Sequence, residues 1–373
     1  MMQVVHSRFN ALLSACVLSL IATAGWSQSL TWLGQLSNGF YSFGYGVSAD
    51  GTVVVGRAHN IRGLHGFRWT AAVGMESLFM LPHGWSEACA VSADGRVVVG
   101  QGLLCVSNRR AFRWAASDGM EDLGTLGGIE SAAYGVSADG SVVVGWSTNA
   151  AGQVRAFRWT RLGLSGRMQD LGTLPNGSSS AAYGVSADGS VVVGQSDGRA
   201  FRWENGVMQD LGTLGGDESL AYAVSANGSV VVGWARNAAG QERAFRWQNG
   251  VMQDLGTLRG NESRAYGVSA DGSVVVGMSG GRAFRWTASR GMEDLNTTYA
   301  SLLTNGSMLY EARAISPDGR YIVGWGRSAR GFNEAFLLDT RPPCTLDGDV
   351  NGDGVVDDAD LLIVLFNFGN RCR

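Results

Sequence analysis

Short runs of alternating apolar and polar residues recur along this chain, each the length of a β-strand. The phrase VSADG, or a close variant of it, begins seven times. Its starting positions are Val47, Val91, Val136, Val185, Val224, Val268 and Ile315. The spacings are 44, 45, 49, 39, 44 and 47 residues, a period that is typical of propellers and of arrays of similar units.

Each repeat contains four strand-like pieces. Residues 132–174 show the order clearly, with AAYGVS, SVVVGW, AFRW and MQDLGTL in succession. Asp-Gly or Asn-Gly joins the first two pieces, which predicts a type I′ hairpin turn with positive φ at both central residues. No helical periodicity lies between the strands, so a solenoid of helix pairs is excluded.

The two ends of the repeat region complement each other. The last repeat stops after EAFLLDT without a fourth strand, whereas LTWLGQL at 30–36 precedes the first repeat and matches a fourth strand. An N-terminal strand that completes the last blade would close a ring. The sequence therefore predicts an all-β, seven-bladed β-propeller of four-stranded blades over residues 28–340, closed by an N-terminal latch strand.

A polar pair is predicted between the third and fourth strands of each blade. The arginine of FRW points away from its aromatic neighbours, and the aspartate of QDLG can lie opposite it. A charge buried between blades needs such a partner. The predicted pairs are Arg113–Asp122, Arg158–Asp170, Arg202–Asp210, Arg246–Asp254 and Arg285–Asp294, with Arg68 facing Ser77. The alternative is a ring of arginines that binds anions.

The repeats AYGVSADGSVVVGWS, RAFRW and GVMQDLGTLGG resemble the HAF family of bacterial extracellular repeats over residues 30–340. This resemblance implies secretion, a β-propeller-like array and no assigned catalysis. The segment ISPDGRYIVGW also resembles the blades of TolB-like and WD-repeat propellers, which implies the same architecture.

Residues 1–24 are predicted to be a signal peptide. Arg8 supplies the positive region, an apolar stretch follows at 11–22, and Ala22-Thr23-Ala24 fits a small-x-small cleavage site. The stretch is too short for a transmembrane span, and none is expected elsewhere. A lipobox at Cys16 is the alternative. We therefore expect a secreted, extracellular protein that can associate with the cell surface, with the periplasm as the alternative location.

A calcium loop is predicted in the tail, residues 347–373, after a linker at 341–346. The spacing of oxygen-bearing side chains around Gly354 follows that of a twelve-residue Ca²⁺ loop. The predicted ligands are Asp349, Asn351, Asp353, the carbonyl of Val355, Asp357 and Asp360. The segment ADLLIVLFNFG is expected to continue as a short helix, and the alternative is an acidic solvated linker.

The single loop and helix resemble one half of a dockerin. That resemblance implies calcium-dependent docking onto a cohesin-like or cell-surface partner. A dockerin contains two such repeats and this tail contains one, which leaves the cohesin partner open.

Composition narrows the classes of partner and chemistry. The formal net charge is −3, so no attraction to nucleic acid is expected. All 29 cations are arginine, which excludes Schiff-base and P-loop lysine mechanisms. Four cysteines follow the leader, and an oxidising compartment favours the pairs Cys89–Cys105 and Cys344–Cys372.

The loops between strands two and three and between successive blades vary, whereas the VSADG turns do not. Variable loops on a rigid scaffold predict the binding face. Glu130, Glu218 and Glu262 are expected on this face, either as a ring or as solvated loop carboxylates. The histidines there form a weak candidate for a transition-metal site; they are His59, His65 and His83.

No catalytic triad, and no carboxylate pair set apart from the repeat, is recognised in the sequence. We therefore expect a non-catalytic scaffold that binds carbohydrate or protein and attaches through its calcium tail. The alternatives are an extracellular polysaccharide-active enzyme carried by a dockerin and a structural surface-layer protein.

Overall fold

The computed structural model describes residues 28–341 apart from 79–84, 104–107 and 164. The predicted signal peptide, the calcium loop with its ligands, His83, Cys105, Cys344 and Cys372 lie outside the described residues. The described part contains 28 strands in seven antiparallel four-stranded sheets. Its helices are α1 (Leu295–Thr298) and a 3₁₀ turn (Ala300–Leu302), and no described helix is both long and apolar enough to cross a membrane.

Each sheet is a blade whose strands run outward from a central channel. The first strands line the channel and are β2 (Tyr41–Val47), β6 (Ser86–Val91), β10 (Gly127–Val136), β14 (Ser180–Val185), β18 (Gly215–Val224), β22 (Ser263–Val268) and β26 (Met308–Ile315). The second strands are β3 (Val54–Asn60), β7 (Val97–Gly102), β11 (Val142–Asn149), β15 (Val191–Ser196), β19 (Val230–Asn237), β23 (Val274–Ser279) and β27 (Tyr321–Arg327).

The outer half of each blade consists of its third and fourth strands. The third strands are β4 (Gly63–Thr70), β8 (Arg110–Ala115), β12 (Val154–Leu162), β16 (Arg199–Glu204), β20 (Glu242–Gln248), β24 (Arg282–Thr287) and β28 (Asn333–Asp339). The fourth strands are β5 (Gly74–Ser77), β9 (Gly119–Asp122), β13 (Ser165–Asp170), β17 (Val207–Asp210), β21 (Val251–Asp254), β25 (Gly291–Asp294) and, in blade seven, β1 (Ser29–Trp32).

Blade seven combines the two ends of the repeat region. Its strand order is β1-β28-β27-β26, so the N-terminal strand is its outer strand. The N–H of Leu33 donates to the carbonyl of Ala335 at 2.9 Å, and the N–H of Ala335 donates to Ser42 Oγ of blade one at 2.9 Å. The predicted seven-bladed propeller with an N-terminal latch strand is therefore confirmed.

The core lies between adjacent blades. One such layer contains Phe201 and Trp203 of the fourth blade packed with Val142 and Val144 of the third, and the phenylalanine is completely buried. The equivalent FRW phenylalanine is completely buried in all seven blades, with Phe336 as the last. Burying each phenylalanine side chain contributes about 1.5–3 kcal/mol, so this repeated residue stabilises every blade.

The turn between the first and second strands differs from the prediction. In blade three the N–H of Gly140 donates to the carbonyl of Ser137 at 3.0 Å, and within the turn only Gly140, not Asp139, has positive φ. This is a four-residue loop with glycine last, as in a type I turn, so the predicted type I′ turn is wrong. The reason is local hydrogen bonding: Ser137 Oγ donates to Asp139 Oδ1 at 2.6 Å and accepts from Val142 N–H at 2.9 Å.

The turns between third and fourth strands behave differently. The two-residue turns Asn205-Gly206 and Asn249-Gly250 have positive φ at both residues.

The VSADG turns of neighbouring blades also form hydrogen bonds with one another around the propeller. The alanine N–H of each VSADG turn donates to the carbonyl at the same position in the next blade, at 2.8–3.0 Å. The series is Ala49, Ala93, Ala138, Ala187, Ala226, Ala270 and Pro317. Proline has no N–H to donate, so the series stops at the junction between blades seven and one.

The FRW arginines do not pair with the predicted aspartates. Arg158 lies opposite Gln169, and Asp170 lies opposite Phe157, one position away from the prediction. Arg158 Nε instead donates to the Gly189 carbonyl of the next blade at 2.8 Å. The same bond between blades is made by Arg113, Arg202 and Arg246.

The aspartates of the fourth strands have two other roles. Each begins a turn, as Asp122 does by accepting the N–H of Gly124 at 2.9 Å. They also pair with the arginine that opens the third strand, in Arg110–Asp122, Arg199–Asp210, Arg243–Asp254 and Arg282–Asp294. In blade one Arg68 lies opposite Glu76 rather than Ser77.

Replacing Asp188 with asparagine is expected to flatten the loss of stability in acid. Hydrogen bonds from the Ser186 hydroxyl and from the N–H and hydroxyl of Ser190 lower the pKa of Asp188 to about 2. A carboxyl whose folded-state pKa is depressed stabilises the fold above its unfolded pKa, and this stability is lost as pH falls through the folded pKa. The affected window for Asp188 is therefore about pH 4 down to about pH 2.

Thermal unfolding midpoints measured across this window test the prediction. Asn227 makes the same three hydrogen bonds in blade five, so Asp188→Asn should unfold near the wild-type midpoint at pH 7. The reverse change, Asn227→Asp, is the matched control and should steepen the acid loss. Identical pH profiles for all three proteins would contradict the prediction.

Candidate ligand-binding site at the channel mouth

The two faces of the ring differ in their loops. The first strands run towards the VSADG turns, so these turns and the turns between third and fourth strands share one face, here called the turn face. The loops between second and third strands and between blades share the opposite face, here called the variable-loop face. Residues that differ between repeats meet where the channel opens onto the variable-loop face.

A ring of seven side chains, here called the tyrosine ring, lines the channel. It comes from the tyrosine position of AYGVS in each repeat and consists of Tyr45, Cys89, Tyr134, Tyr183, Tyr222, Tyr266 and Arg313. Tyr134 stacks on Tyr183 with ring centroids 5.3 Å apart. Above it, towards the variable-loop face, lies a cavity of about 290 Å³ that the ring and Glu87 line.

The tyrosine hydroxyls stay protonated at neutral pH. Burial raises the pKa of all five tyrosines in the ring, to about 12 for Tyr266. The indole N–H of Trp146 donates to the Tyr134 hydroxyl at 3.2 Å, which leaves the hydroxyl hydrogen free to donate. Tyr134 can therefore donate a hydrogen bond while it accepts one from Trp146.

Charged residues interrupt the repeat two positions before the tyrosine ring. This position holds Phe43, Glu87, Ala132, Ala181, Leu220, Arg264 and Glu311 in the seven blades. Glu87 accepts from Arg57 Nη1 at 2.5 Å and from Gln101 Nε2 at 2.8 Å. Arg264 Nε donates to Glu242 at 2.8 Å.

Two carboxylates therefore depart from the repeat, and neither was singled out in the sequence. Glu87 and Glu311 occupy a position where three of the other blades have alanine or leucine. The signal was available in the repeats, since aligning them on VSADG exposes these substitutions. Their common location appears only when the blades close into a ring.

Aromatic side chains form a continuous ridge on one side of the mouth. Tyr310 contacts Trp325 at 5.2 Å between centroids, Trp325 contacts Phe43 at 4.9 Å, and Phe43 contacts Tyr41 at 5.2 Å. We call these four residues the aromatic ridge. Phe40, with 56% of its surface exposed, extends from it towards solvent.

A second aromatic group lies on blades two and three. The guanidinium carbon of Arg109 is 5.4 Å from the centroid of Trp85 and 5.6 Å from that of Trp146. Both distances are in the range of cation–π contacts. The mouth thus combines flat aromatic surfaces with planar charged groups, none of which was singled out in the sequence.

The predicted loop carboxylates do not form a ring of their own. Glu218 pairs with Arg236 of the same blade at 3.2 Å, and Glu130 is half-buried at the start of its strand. Glu262 is exposed just before β22. They behave as the solvated loop carboxylates of the alternative interpretation.

The histidines and cysteines are placed differently from the predictions. His59 stacks on Tyr41, and His65 is buried, which together with nearby His59 and Arg62 lowers the pKa of its imidazole. Among the described residues no group of three histidine, cysteine or acidic side chains could hold a metal ion. Cys89 is a free cysteine whose burial in the tyrosine ring raises its thiol pKa, so the predicted Cys89–Cys105 disulfide has no support.

Comparisons with known proteins identify the fold. No family model and no curated protein matches the chain. Oligogalacturonate lyase from Vibrio parahaemolyticus is similar in structure at 10% identity and a TM-score of 0.54, over 83% of this chain and 93% of that one. The Swd1 β-propeller domain from Myceliophteria thermophila is similar at 10% identity and a TM-score of 0.50, over 82% and 99%.

TolB from Acinetobacter baumannii matches at 13% identity with a TM-score of 0.46, over 83% of this chain. The chain spans 65% of that protein's length. The similarities to the lyase and to the Swd1 domain establish a shared β-propeller fold and nothing about activity.

Proposed function

We propose that this protein is a secreted, non-catalytic propeller of the HAF type that binds carbohydrate at the mouth of its channel. Its tail would attach it, in a calcium-dependent way, to a cohesin-like or other cell-surface partner. The propeller would then be the recognition part and residues 347–373 the attachment part.

One observation carries the proposal: the repeat breaks down where the channel opens onto the variable-loop face. Elsewhere the blades repeat the same turn, valine and phenylalanine residues, which serve the fold. At the mouth they differ, and the differences supply an aromatic ridge beside planar ion pairs. Aromatic faces can stack on the apolar faces of sugar rings, while guanidinium and carboxylate groups bind hydroxyls, which favours a glycan over a protein.

A polysaccharide-active enzyme is the second candidate. Glu87 and Glu311 favour it, because hydrolysis of a glycosidic bond uses two carboxyl groups near the reacting bond. Against it, Arg57 and Arg313 each bind one of these carboxylates, at 2.5 Å and 2.6 Å. Guanidinium groups of the chain therefore already hold both carboxylates, which favours binding without catalysis.

Retention on insoluble polysaccharides tests the binding role. The double variant Phe40→Ala, Tyr41→Ala removes the exposed end of the ridge, and it should weaken retention of the chain lacking residues 1–24 by roughly three- to tenfold for each stacking ring lost. Val251→Ala is the matched control, since Val251 is 66% exposed on the turn face. Equal retention of all three proteins, or release of soluble sugar from the polysaccharide, would contradict a non-catalytic site at the mouth.

A truncated protein distinguishes the role of the tail from that of the propeller. A version that stops at Pro343 should keep its polysaccharide retention but lose calcium-dependent retention on the producing cell's surface fraction. If EDTA and truncation change neither, the attachment role of the tail is refuted and the propeller alone is adhesive.

A further inference from the structure

We propose that the cavity above the tyrosine ring binds the carboxylate of an acidic sugar, a single uronic acid unit at the end of a glycan chain. This inference rests on the proposed function and specifies which sugar the channel mouth recognises. The key residue of the proposed site is Arg313, which occupies a position of the tyrosine ring where five of the seven blades have tyrosine.

The guanidinium of Arg313 has free donors in the cavity. Its Nε donates to Glu311 Oε2 at 2.6 Å, and its central carbon lies 4.2 Å from the Tyr266 ring centroid. Among the described residues its two terminal amino groups have no hydrogen-bond acceptor, although 34% of the side chain is accessible. Guanidinium amino groups bind carboxylates strongly and often in bidentate geometry, so these free donors suit a carboxylate ligand.

Five tyrosines also line the cavity beside Arg313. Their hydroxyls can donate as well as accept hydrogen bonds. The carboxylate of Glu87 also lines it, but Arg57 and Gln101 already bind one oxygen each. The free amino groups of Arg313 therefore remain the charged part of the described lining that lacks a partner, and a carboxylate can accept from both at once.

The cavity's size and walls point to one sugar unit. A volume of about 290 Å³ is at the lower end of the range for small-molecule sites. The tyrosine rings provide flat apolar walls, and the aromatic ridge lies outside at the mouth. A chain end with its carboxylate on Arg313 would place the following units towards the ridge.

Calorimetric titration of the full chain with D-galacturonate and D-galactose, and with D-glucuronate and D-glucose, tests the proposal. Each pair differs only in the carboxylate, so the uronates should bind at least about tenfold more tightly than the hexoses. Arg313→Tyr restores the residue of the other repeats and should remove this preference. Val251→Ala, which changes an exposed residue on the turn face, is the control and should keep it.

Several results would overturn the proposal. These are equal affinity for uronate and hexose, unchanged uronate affinity in Arg313→Tyr, no binding of any monosaccharide, or acetate binding as tightly as the uronates. If Arg313→Tyr unfolds at a lower temperature, Arg313→Gln, which retains a donor for Glu311, replaces it. If the protein binds no uronate but is still retained on polysaccharides, this inference alone is refuted. If it shows neither uronate binding nor retention on polysaccharides, the proposed function is refuted as well.

Discussion

Replacing Gly145 with alanine is expected to destabilise the protein by roughly 3 kcal/mol or more, at or above the upper end of the usual cost of overpacking. A Cβ at this position would lie 1.9 Å from the carbonyl oxygen of Ala132 on the neighbouring strand. No side-chain rotation relieves this contact, because the obstructing atom belongs to the backbone. Strands β10 and β11 would have to separate, which breaks their hydrogen bonds and disturbs the buried Phe157 opposite Gly145.

The same obstruction occurs in every blade. The glycine that follows the valines of the second strand has a Cβ position 1.8–2.0 Å from a first-strand carbonyl oxygen. These glycines are Gly56, Gly100, Gly145, Gly194, Gly233, Gly277 and Gly324. They explain why this glycine occurs in all seven repeats, after VVV in six and after IV in the seventh, as only glycine allows the first two strands and the phenylalanine to pack this closely.

Urea unfolding of Gly145→Ala against Gly152→Ala measures the effect. Gly152 has φ of 74° with nothing within 4 Å of its Cβ position, so its substitution should cost only about 1 kcal/mol. A difference of less than about 1 kcal/mol between the two variants would show that the close approach is not what requires glycine.

Removing residues 28–36 is expected to abolish cooperative unfolding of the ring and to cause self-association. The deletion removes β1 and with it the outer strand of blade seven. It also removes the buried side chains of Leu33 and Leu36, each worth about 1.5–3 kcal/mol, and the contact of Trp32 with Phe336. The uncovered edge of β28 would present unpaired backbone groups to other chains.

Two proteins beginning at residue 28 and at residue 37 make the comparison, measured by gel filtration and by thermal unfolding. The shorter one should elute as larger species and melt over a broad, lower range. A synthetic peptide of residues 28–36 added in trans should restore part of the cooperative transition. A monomeric short form with an unchanged midpoint would mean that the ring closes without its latch.

The fold could be predicted because each repeat carries its own strand pattern and because the two incomplete ends match. The side-chain partners could not be predicted in the same way. Whether Asp170 lies opposite Arg158 or Phe157 depends on a one-residue register, and a shift of one residue moves a side chain to the other face of the sheet. The alternation of apolar and polar residues leaves that register open. The turn that begins at the aspartate sets it.

The sequence by itself determined seven blades, their four strands, and the latch, since hydrophobic periodicity and turn residues act over short distances along the chain. Only the tertiary structure decided the candidate site. Glu87 lies in the second repeat and Arg313 in the seventh, and nothing in the spacing between them indicates that they line one cavity. Closing the ring brings equivalent positions of all seven first strands around one channel, so each departure from the repeat adds to a single site.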